Sequence, residues 1–579
     1  LRSNNGTAAA GDALQAADSR ATWIANKGLQ GRATASALAD HRQNGLDFPR
    51  ISVPFSRHQR CWAGWCSTMF QDFAVTDYVR KILDSRVYDV AVQTPLDKMV
   101  RLSARIGSPV LLKREDLQPV FSFKIRGAYN RIAQLSAEQR AAGVICASAG
   151  NHAQGVALSA QRLGIKATIV MPVTTPPIKV DAVRYWGGNA VLFGDTFDEA
   201  AAHARQLEVE HGLTFVHPYD DPDVIAGQGT IGMEILQQHP HPIEAVFVPI
   251  GGGGLAAGVA SFIKFLRPET KVIGVEPADA ASMKAAIEAG ERVVLDRVGL
   301  FADGVAVRQA GVETFRLCRE LLDDVITADT DEMCAAIKDI FEDTRVLAEP
   351  AGALALAGLK TYVAANPTRT GALVAVSSGA NMNFDRLRHV AERAEVGEAR
   401  EILLGVTIPE QPGSYRRFIQ TIGNQVISEF NYRYAEAKDA NVFVGIKLSD
   451  ARQEKARLIE QLRALGYKVL DISADETAKL HIRYMVGGRA PPELKGEVIL
   501  RFEFPERPGA LLKFLDQMEP DWNITLFHYR NHGADYGRIL VGLQVPDADR
   551  GRMGERLDAL GYPYEDETDN PVYRMFLNG

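Results

Sequence analysis

Four short clusters in the sequence carry residue types able to do chemistry. In Phe121-Ser122-Phe123-Lys124-Ile125-Arg126-Gly127-Ala128-Tyr129-Asn130, Lys124 stands close to the start of an expected helix among apolar neighbours. Burial there would disfavour the ammonium and favour a neutral, nucleophilic amine. The ordinary alternative is an exposed helix lysine snorkelling from an apolar face. In Ala147-Ser148-Ala149-Gly150-Asn151-His152-Ala153-Gln154-Gly155, directly after an apolar strand, the unpaired N–H groups of a helix start can hold a carboxylate. Asn151 there offers an amide to a ligand hydroxyl or ring oxygen. Local capping explains the same cluster without a ligand, and His152 is read as polar filler, not as a base.

The third cluster is Pro249-Ile250-Gly251-Gly252-Gly253-Gly254-Leu255-Ala256-Ala257-Gly258. Four consecutive glycines between a strand and a helix form a nest for a phosphate, with a sterically tight turn as the competing reading. No Lys-Ser or Lys-Thr follows, and the dinucleotide Gly-x-Gly-x-x-Gly pattern with its carboxylate is absent, so the phosphate belongs to a smaller cofactor. In the fourth, Val376-Ser377-Ser378-Gly379-Ala380-Asn381-Met382-Asn383, Ser378 can hydrogen-bond a heterocyclic nitrogen without delivering a full charge, or simply cap a turn.

No hydrolase triad or metal set accompanies them. His-Glu-x-x-His and Gly-x-Ser-x-Gly are missing, the 12 His form no tight ligand cluster, and the 5 Cys show neither metal-ligand spacing nor a disulfide framework. Glu349-Pro350-Ala351-Gly352 places a carboxylate either near the site or at a helix start. A buried lysine, a phosphate nest and a helix-start anion site together point to pyridoxal phosphate, a cofactor that brings its own electron sink. The 65 Lys and Arg against 72 Asp and Glu give a formal charge of -7, which offers no basic face to nucleic acid or an anionic membrane. No apolar run reaches the roughly 18 residues of a membrane span.

These clusters need elements to position them. Short Val- and Ile-rich runs (Val144–Ala147, Ala167–Met171, Val246–Ile250, Val272–Val275, Leu373–Val376) alternate with alanine-rich helical stretches such as Ala153–Leu163 and Glu199–Glu210. The pattern predicts an α/β unit of buried parallel strands over residues 71–396, and three of the four clusters fall at strand C-termini, where such folds bind ligands. Residues 1–70 differ: 8 Lys or Arg against 4 Asp, with little periodicity, reads as a dispensable extension or a transit leader, with Met69 as an alternative start. From about residue 397 a second kind of unit occurs twice. Pro412-Gly413 is matched by Pro508-Gly509 at an offset of 96, and Phe430-Asn431-Tyr432-Arg433 by Phe527-His528-Tyr529-Arg530 at 97. Val444-Gly445 and Val541-Gly542 repeat at 97 as well. Two modules, 397–490 and 491–579, are expected, each a half-buried antiparallel sheet with helices on one side.

At these residues the sequence resembles the biosynthetic threonine dehydratases (threonine ammonia-lyases), members of the tryptophan-synthase-β-like, fold type II class of pyridoxal-phosphate enzymes. Ser122-Phe123-Lys124, Ser148-Ala149-Gly150-Asn151-His152, Gly251 to Gly254 and Ser378-Gly379-Ala380-Asn381 carry the likeness, which covers residues 75 to 579. The resemblance implies two α/β subdomains followed by two ACT-like α+β regulatory modules. It implies that Lys124 holds the cofactor covalently, that Asn151 contacts its ring hydroxyl oxygen, and that the amides of Gly251, Gly252, Gly253, Gly254 and Leu255 cradle its phosphate. Ser378 would face the ring nitrogen, and Ser148, Ala149, Gly150, Asn151 and His152 would hold the substrate carboxylate. The implied reaction turns L-threonine into 2-oxobutanoate and ammonia, inhibited by isoleucine and relieved by valine, in a homotetramer. Phe430, Tyr432, Arg433, Phe527, Tyr529 and Arg530 are candidates for effector binding or its transmission, or else duplicated core and interface residues. A serine dehydratase or racemase of the same fold is the nearest rival, since one β-methyl is worth only about 1–3 kcal/mol; a catalytically silent amino-acid-binding regulator is the rival of another class. Without its leader the chain reads as cytoplasmic; cleavage of a leader would suit a plastid or mitochondrion.

Overall fold

The computed structural model describes residues 76–577, apart from 399, 424, 435–437, 450, 492–493, 506–509, 519–521 and 531–535. The expected leader, Met69 and Pro508-Gly509 therefore lie outside the described residues.

Ten strands build the first part: β1 (Leu96–Lys98), β2 (Val110–Arg114), β3 (Val144–Ala147), β4 (Ala167–Met171), β5 (Asn189–Leu192), β6 (Thr214–Phe215), β7 (Ile243–Pro249), β8 (Lys271–Pro277), β9 (Asp324–Ala328) and β10 (Ala372–Ser377). They form a six-stranded sheet in the order β1-β2-β10-β7-β8-β9 and a four-stranded sheet in the order β5-β4-β3-β6. Every pairing is parallel except that of β1 with β2. Continuous apolar runs are what such strands require, because helices bury both faces; every residue of β2, β3 and β10 is buried. Val110, Leu112, Phe247 and Leu373 pack on one side of the large sheet, and Val246, Val248, Val374 and Val376 on the other. The alternation along β7 and β10 is the two-residue period of a strand.

The second part is one antiparallel sheet of eight strands: β11 (Glu401–Pro409), β12 (Val426–Arg433), β13 (Asp439–Lys447), β14 (Lys468–Asp471), β15 (Glu497–Pro505), β16 (Asn523–Arg530), β17 (Tyr536–Gln544) and β18 (Tyr564–Asp566). Its order, β14-β11-β13-β12-β16-β17-β15-β18, reads as the same module from either end. The duplicated Phe-x-Tyr-Arg elements meet at the centre, with Phe430 opposite Tyr529 and Tyr432 opposite Phe527. The repeated Val-Gly has a steric cause. Strands β12 and β16 bulge between Ile427 and Glu429 and between Ile524 and Leu526, and an ideal Cβ on the facing Gly445 or Gly542 would fall 2.4 Å from Ser428 Oγ or 2.8 Å from Thr525 Oγ1. Phe418, Leu462, Phe514 and Leu557, one from each of four helices, share a single core with Val406, Val444, Phe502 and Val541, so these helices lie on one side of the sheet.

Candidate active site

Lys124 is the first residue of the helix Lys124–Ala133. Its side chain is turned inward, and Nζ donates to the Pro218 carbonyl at 2.9 Å. Burial brings its pKa down to about 8, a fall that the charge of Glu349 partly opposes. The segment before it is pinned across the site: Phe123 N donates to the Ser378 carbonyl at 3.1 Å, and Ala380 N to the Phe121 carbonyl at 2.9 Å. Phe121 adopts a left-handed φ of 54° to make this connection, a conformation that costs an ordinary residue about 1 kcal/mol or more.

Arg126, two residues on, anchors the same helix from behind. Its guanidinium lies in a fully buried quartet with Glu115, Glu234 and Lys113: Nε to Glu115 at 2.7 Å, Nη1 to Glu234 at 2.6 Å, and Lys113 Nζ to Glu234 at 2.5 Å. Thr94 and Tyr88 hydroxyls complete the carboxylates at 2.6 and 2.7 Å. Two positive and two negative charges therefore balance inside the protein, the condition under which buried ions persist.

The glycine run follows β7 and opens the helix Gly254–Leu266. An ideal Cβ on Gly252 would lie 2.2 Å from the Tyr219 ring, one on Gly254 2.8 Å from the Tyr219 carbonyl, and one on Gly251 2.9 Å from Val305. Gly253 alone is left-handed, at φ 97°. The tight-turn reading is thus correct as far as it goes. The carbonyls of Gly252 and Gly253 are taken by Thr314 Oγ1 at 2.6 Å and Cys318 Sγ at 3.8 Å. The amides of Gly251 to Leu255 find no protein acceptor among the described residues. A cradle of five free N–H groups at a helix start, held by its own packing, fits a phosphate.

Asn151 begins the helix Asn151–Leu163, and its first-turn amides have no partner within the helix. A Cβ on the preceding Gly150 would meet nothing within 4 Å, so that glycine borders open space. Ser148 Oγ accepts from Gly150 N at 3.3 Å. Ala149 packs against the core of the small sheet. His152 is buried; its Nε2 lies 2.8 Å from the Val216 carbonyl and must carry the proton, and burial, aided by Lys124, depresses its pKa to about 3. It is a neutral, satisfied histidine, as its reading as filler requires. Ser378 is buried after β10, with Oγ 3.1 Å from the Ala351 carbonyl.

Contacts join these pieces in a ring. Lys124 touches Pro218, Tyr219 covers the glycine run, and Gly251 meets Val305. A Cβ on Gly304 would stand 3.7 Å from Asn151 Nδ2, Asn151 Oδ1 accepts from Asn381 Nδ2 at 2.6 Å, and Ser378 closes the circuit at Phe123. Sequence reasoning missed the loop from His217 to Asp221. Its Pro and Asp residues announce a turn, but nothing in the sequence ties Pro218 to Lys124 or Asp220 to the helix Val312–Leu321, whose first amides it caps at 2.8 to 3.2 Å. The six regulatory candidates stand elsewhere, on β12 and β16. Phe430 and Phe527 are fully buried and in aromatic contact, with centroids 5.8 Å apart. Tyr432 and Tyr529 are buried beside them, Arg433 pairs with Glu497 at 2.5 Å, and the side chain of Arg530 lies outside the described residues.

A part-buried lysine of lowered pKa at a helix start, with a free anion cradle and a neutral serine at the C-terminal ends of parallel strands, defines an α/β enzyme fitted to a phosphate-bearing carbonyl cofactor. Comparison with known proteins agrees. Residues 87–379 match the family model described as pyridoxal-phosphate dependent enzyme, and residues 392–482 and 488–577 that of the C-terminal regulatory domain of threonine dehydratase. The biosynthetic L-threonine dehydratase of Burkholderia multivorans is 60% identical over 505 residues, 87% of this chain and 99% of that protein. Among solved structures, the processed form of threonine deaminase isoform 2 from Solanum lycopersicum is 52% identical, covers 55% of this chain and 93% of its own, and superposes with a TM-score of 0.55. Maize serine racemase is 32% identical over 54% of this chain and 96% of its own, with a TM-score of 0.52. The chain belongs to the pyridoxal-phosphate-dependent enzymes and, over nearly its whole described length, to their biosynthetic threonine dehydratase family.

The cradle can be tested directly. In Gly252→Ala the methyl group must displace the Tyr219 ring or the loop, and retention of pyridoxal phosphate should weaken about tenfold, the scale of an overpacked site. Fluorescence titration of the cofactor checks this.

Proposed function

We propose that the protein is a threonine ammonia-lyase that releases 2-oxobutanoate and ammonia from L-threonine under feedback control by branched-chain amino acids. Residues 71–396 are read as the catalytic domain, and 397–490 and 491–579 as the regulatory modules. The observation that carries the reading is the ring of Lys124, Asn151, the Gly251–Leu255 amides and Ser378 on one chain with a duplicated regulatory sheet. When bound, pyridoxal phosphate supplies a carbonyl that links to amines and a ring that takes up the electron pair left at Cα.

The protein's own residues do the rest. Lys124 would hold the cofactor and, when free of it, would be a neutral base able to take the substrate's Cα proton. The first-turn amides after Gly150 bind the substrate carboxylate, and the Gly251–Leu255 amides bind the phosphate. Asn151 would hold the cofactor's ring hydroxyl oxygen. Ser378, neutral and buried, would bring no negative charge to the ring nitrogen, which would disfavour a protonated ring and the side reactions it promotes. Cleavage of the Cβ–O bond releases the hydroxyl with one added proton as water. The resulting enamine tautomerises, takes water back and sheds ammonia, so L-threonine is converted to 2-oxobutanoate plus ammonia with atoms in balance. Purified protein supplied with pyridoxal phosphate should form 2-oxobutanoate from L-threonine faster than pyruvate from L-serine. The reverse order would favour the serine reading.

For control, the strand β12 presents two faces. Phe430 and Tyr432 point into the module core, where a cleft lies between the two modules beside Glu410, Tyr415, Tyr432, Leu515, Trp522 and Asn523. Tyr432 donates to Glu410 at 2.5 Å, and the buried Tyr415 hydroxyl has no hydrogen-bond partner among the described residues. A carboxylate for an ammonium group, a spare hydroxyl and apolar walls suit isoleucine or valine. Glu429, Asn431 and Arg433 point the other way. Glu429 pairs with Arg483, and Arg483 reaches the Glu392 carbonyl at 3.2 Å. Arg393 and Lys479 both grip Asp331, in the first turn of the helix Thr330–Thr344 that leads to Glu349. An effector favouring one arrangement of this chain of contacts would shift the site's equilibrium. Tyr432→Phe should raise the isoleucine concentration for half-inhibition about tenfold, the scale of a lost hydrogen bond to a charged group, while leaving uninhibited turnover within twofold. Threonine kinetics with an isoleucine series checks it. The near-symmetric sheet also suits assembly of identical chains, and a homotetramer is the expected state by light scattering. The cytoplasm is the expected compartment unless the leader directs import.

A further inference from the structure

Behind Asn151 lies a carboxylate with no assigned role. Glu349 directly precedes the helix Pro350–Ala365 but makes no side-chain cap to it. Its side chain is turned away from the helix and buried, and Oε1 accepts from Asn151 Nδ2 at 2.6 Å. The orientation of the Asn151 amide is fixed by its other neighbour. Asn381 Nδ2 donates to the Val120 carbonyl at 2.8 Å, so it must be the amino end of Asn381 that also faces Asn151, at 2.6 Å. Asn151 therefore turns its oxygen to Asn381 and its NH2 to Glu349, with one N–H left to give. The backbone clears room for this carboxylate: a Cβ on Gly379 would fall 2.6 Å from Glu349 Oε1.

We propose that Glu349 is a positioning residue of the active site, gripping Asn151 so that the remaining amide N–H meets the cofactor's ring hydroxyl oxygen and setting the charge of that corner of the site. The inference rests on the cofactor reading above. A carboxylate in this place titrates where enzymes work. Its pKa is raised to about 7, because burial first and then Asp303 push it up by more than the Asn151 hydrogen bond, Lys179 and the Asn381 backbone N–H pull it down. The groups facing it are Lys124 from the lysine helix, Asp303 from the loop over the site, Lys179 from the small-sheet subdomain, which pairs with Asp303 at 2.6 Å, and the two asparagines. Below pH 7 the Glu349 carboxyl is mostly protonated; above it a negative charge stands behind Asn151.

Two variants separate grip from charge. Glu349→Gln keeps an oxygen for the Asn151 N–H and removes the titration; Glu349→Ala removes both. Reconstituted full-length protein, without threonine, is titrated from pH 5.5 to 8.5 while the visible absorption band of bound cofactor is followed, and cofactor affinity is measured by fluorescence at pH 8. The wild-type band should shift with a midpoint about 7, a step that Glu349→Gln loses while binding cofactor within about twofold of wild type. Glu349→Ala should bind about tenfold more weakly. A role confined to the helix start would lower thermal stability in both variants and leave band and affinity unmoved, and that result overturns the proposal. A wild-type titration retained in Glu349→Gln with unchanged affinity in Glu349→Ala overturns it too. A wild type that acquires no visible band at all overturns the cofactor reading beneath it, and the proposal with it.

Discussion

Replacing Lys124 by alanine will lower 2-oxobutanoate release from L-threonine by at least ~10³-fold and abolish the covalent hold on cofactor, with the fold intact. One side chain carries two duties here, nucleophile toward the cofactor and base toward the substrate, and a positioned base alone is worth about 10² to 10⁴. Neither neighbouring histidine can take over. His152 is tied to the Val216 carbonyl with a pKa near 3, and His217, pushed by burial to about 4, accepts from the Tyr219 and Asp220 amides through Nδ1. The pH response has a definite sign. With a pKa of about 8, Lys124 is mostly charged at pH 7, so the rate at which the wild type takes up free cofactor should rise with pH and level off above 8. Continuous assay of keto-acid release, with circular dichroism as the check on folding, reads the first claim; activity of Lys124→Ala within tenfold of wild type would remove this lysine from the chemistry.

The second large effect is on stability. Arg126→Met leaves Glu115 and Glu234 facing a single remaining cation, Lys113, in a site closed to water. Breaking a buried ion network from one side costs about 3–5 kcal/mol, because the orphaned charge cannot regain its hydration. The loss should appear in chemical denaturation of the catalytic part. Adding Glu115→Gln to Arg126→Met restores the balance at one cation and one carboxylate, and should recover more than about 1 kcal/mol of it. If the double variant is the less stable of the two, the charge-balance explanation is wrong and packing of the guanidinium accounts for the loss. Because Arg126 lies two positions from Lys124 on the same helix, the network also helps to hold an active-site lysine whose own contacts are the Pro218 carbonyl and the Phe123 ring.

The parts of this architecture visible in the sequence are those written in local patterns. Short Val- and Ile-rich runs marked β3, β4, β7, β8 and β10 because a strand buried on both faces must be apolar throughout. The Gly251–Gly254 run stood out because four glycines are costly without a reason. Two reasons operate together: packing against Tyr219 and Val305, and amides left free at a helix start. The repeat in the tail was legible as an offset, and the sheet supplies its cause in the central pairing of β12 with β16 and the bulges that Gly445 and Gly542 face. What escaped was long-range. Pro218 on Lys124, Arg126 with Glu115 and Glu234, and Asn151 with Glu349 and Asn381 join residues up to 230 positions apart, and no periodicity records such meetings. Phe430 and Phe527, singled out by the repeat as candidates for effector binding or as duplicated core residues, are completely buried and in contact across the two modules, and Tyr432 is the member beside the cleft.

The most direct test of the central claim is to locate the cofactor's attachment chemically. Reconstituted protein would be reduced with borohydride, digested, and its peptides weighed. The account predicts a phosphopyridoxyl mass on the peptide containing Lys124 and on no other lysine, with threonine present before reduction lowering the yield because the substrate amine has taken the lysine's place. A label on a different lysine, or none in protein that still makes 2-oxobutanoate, would contradict it.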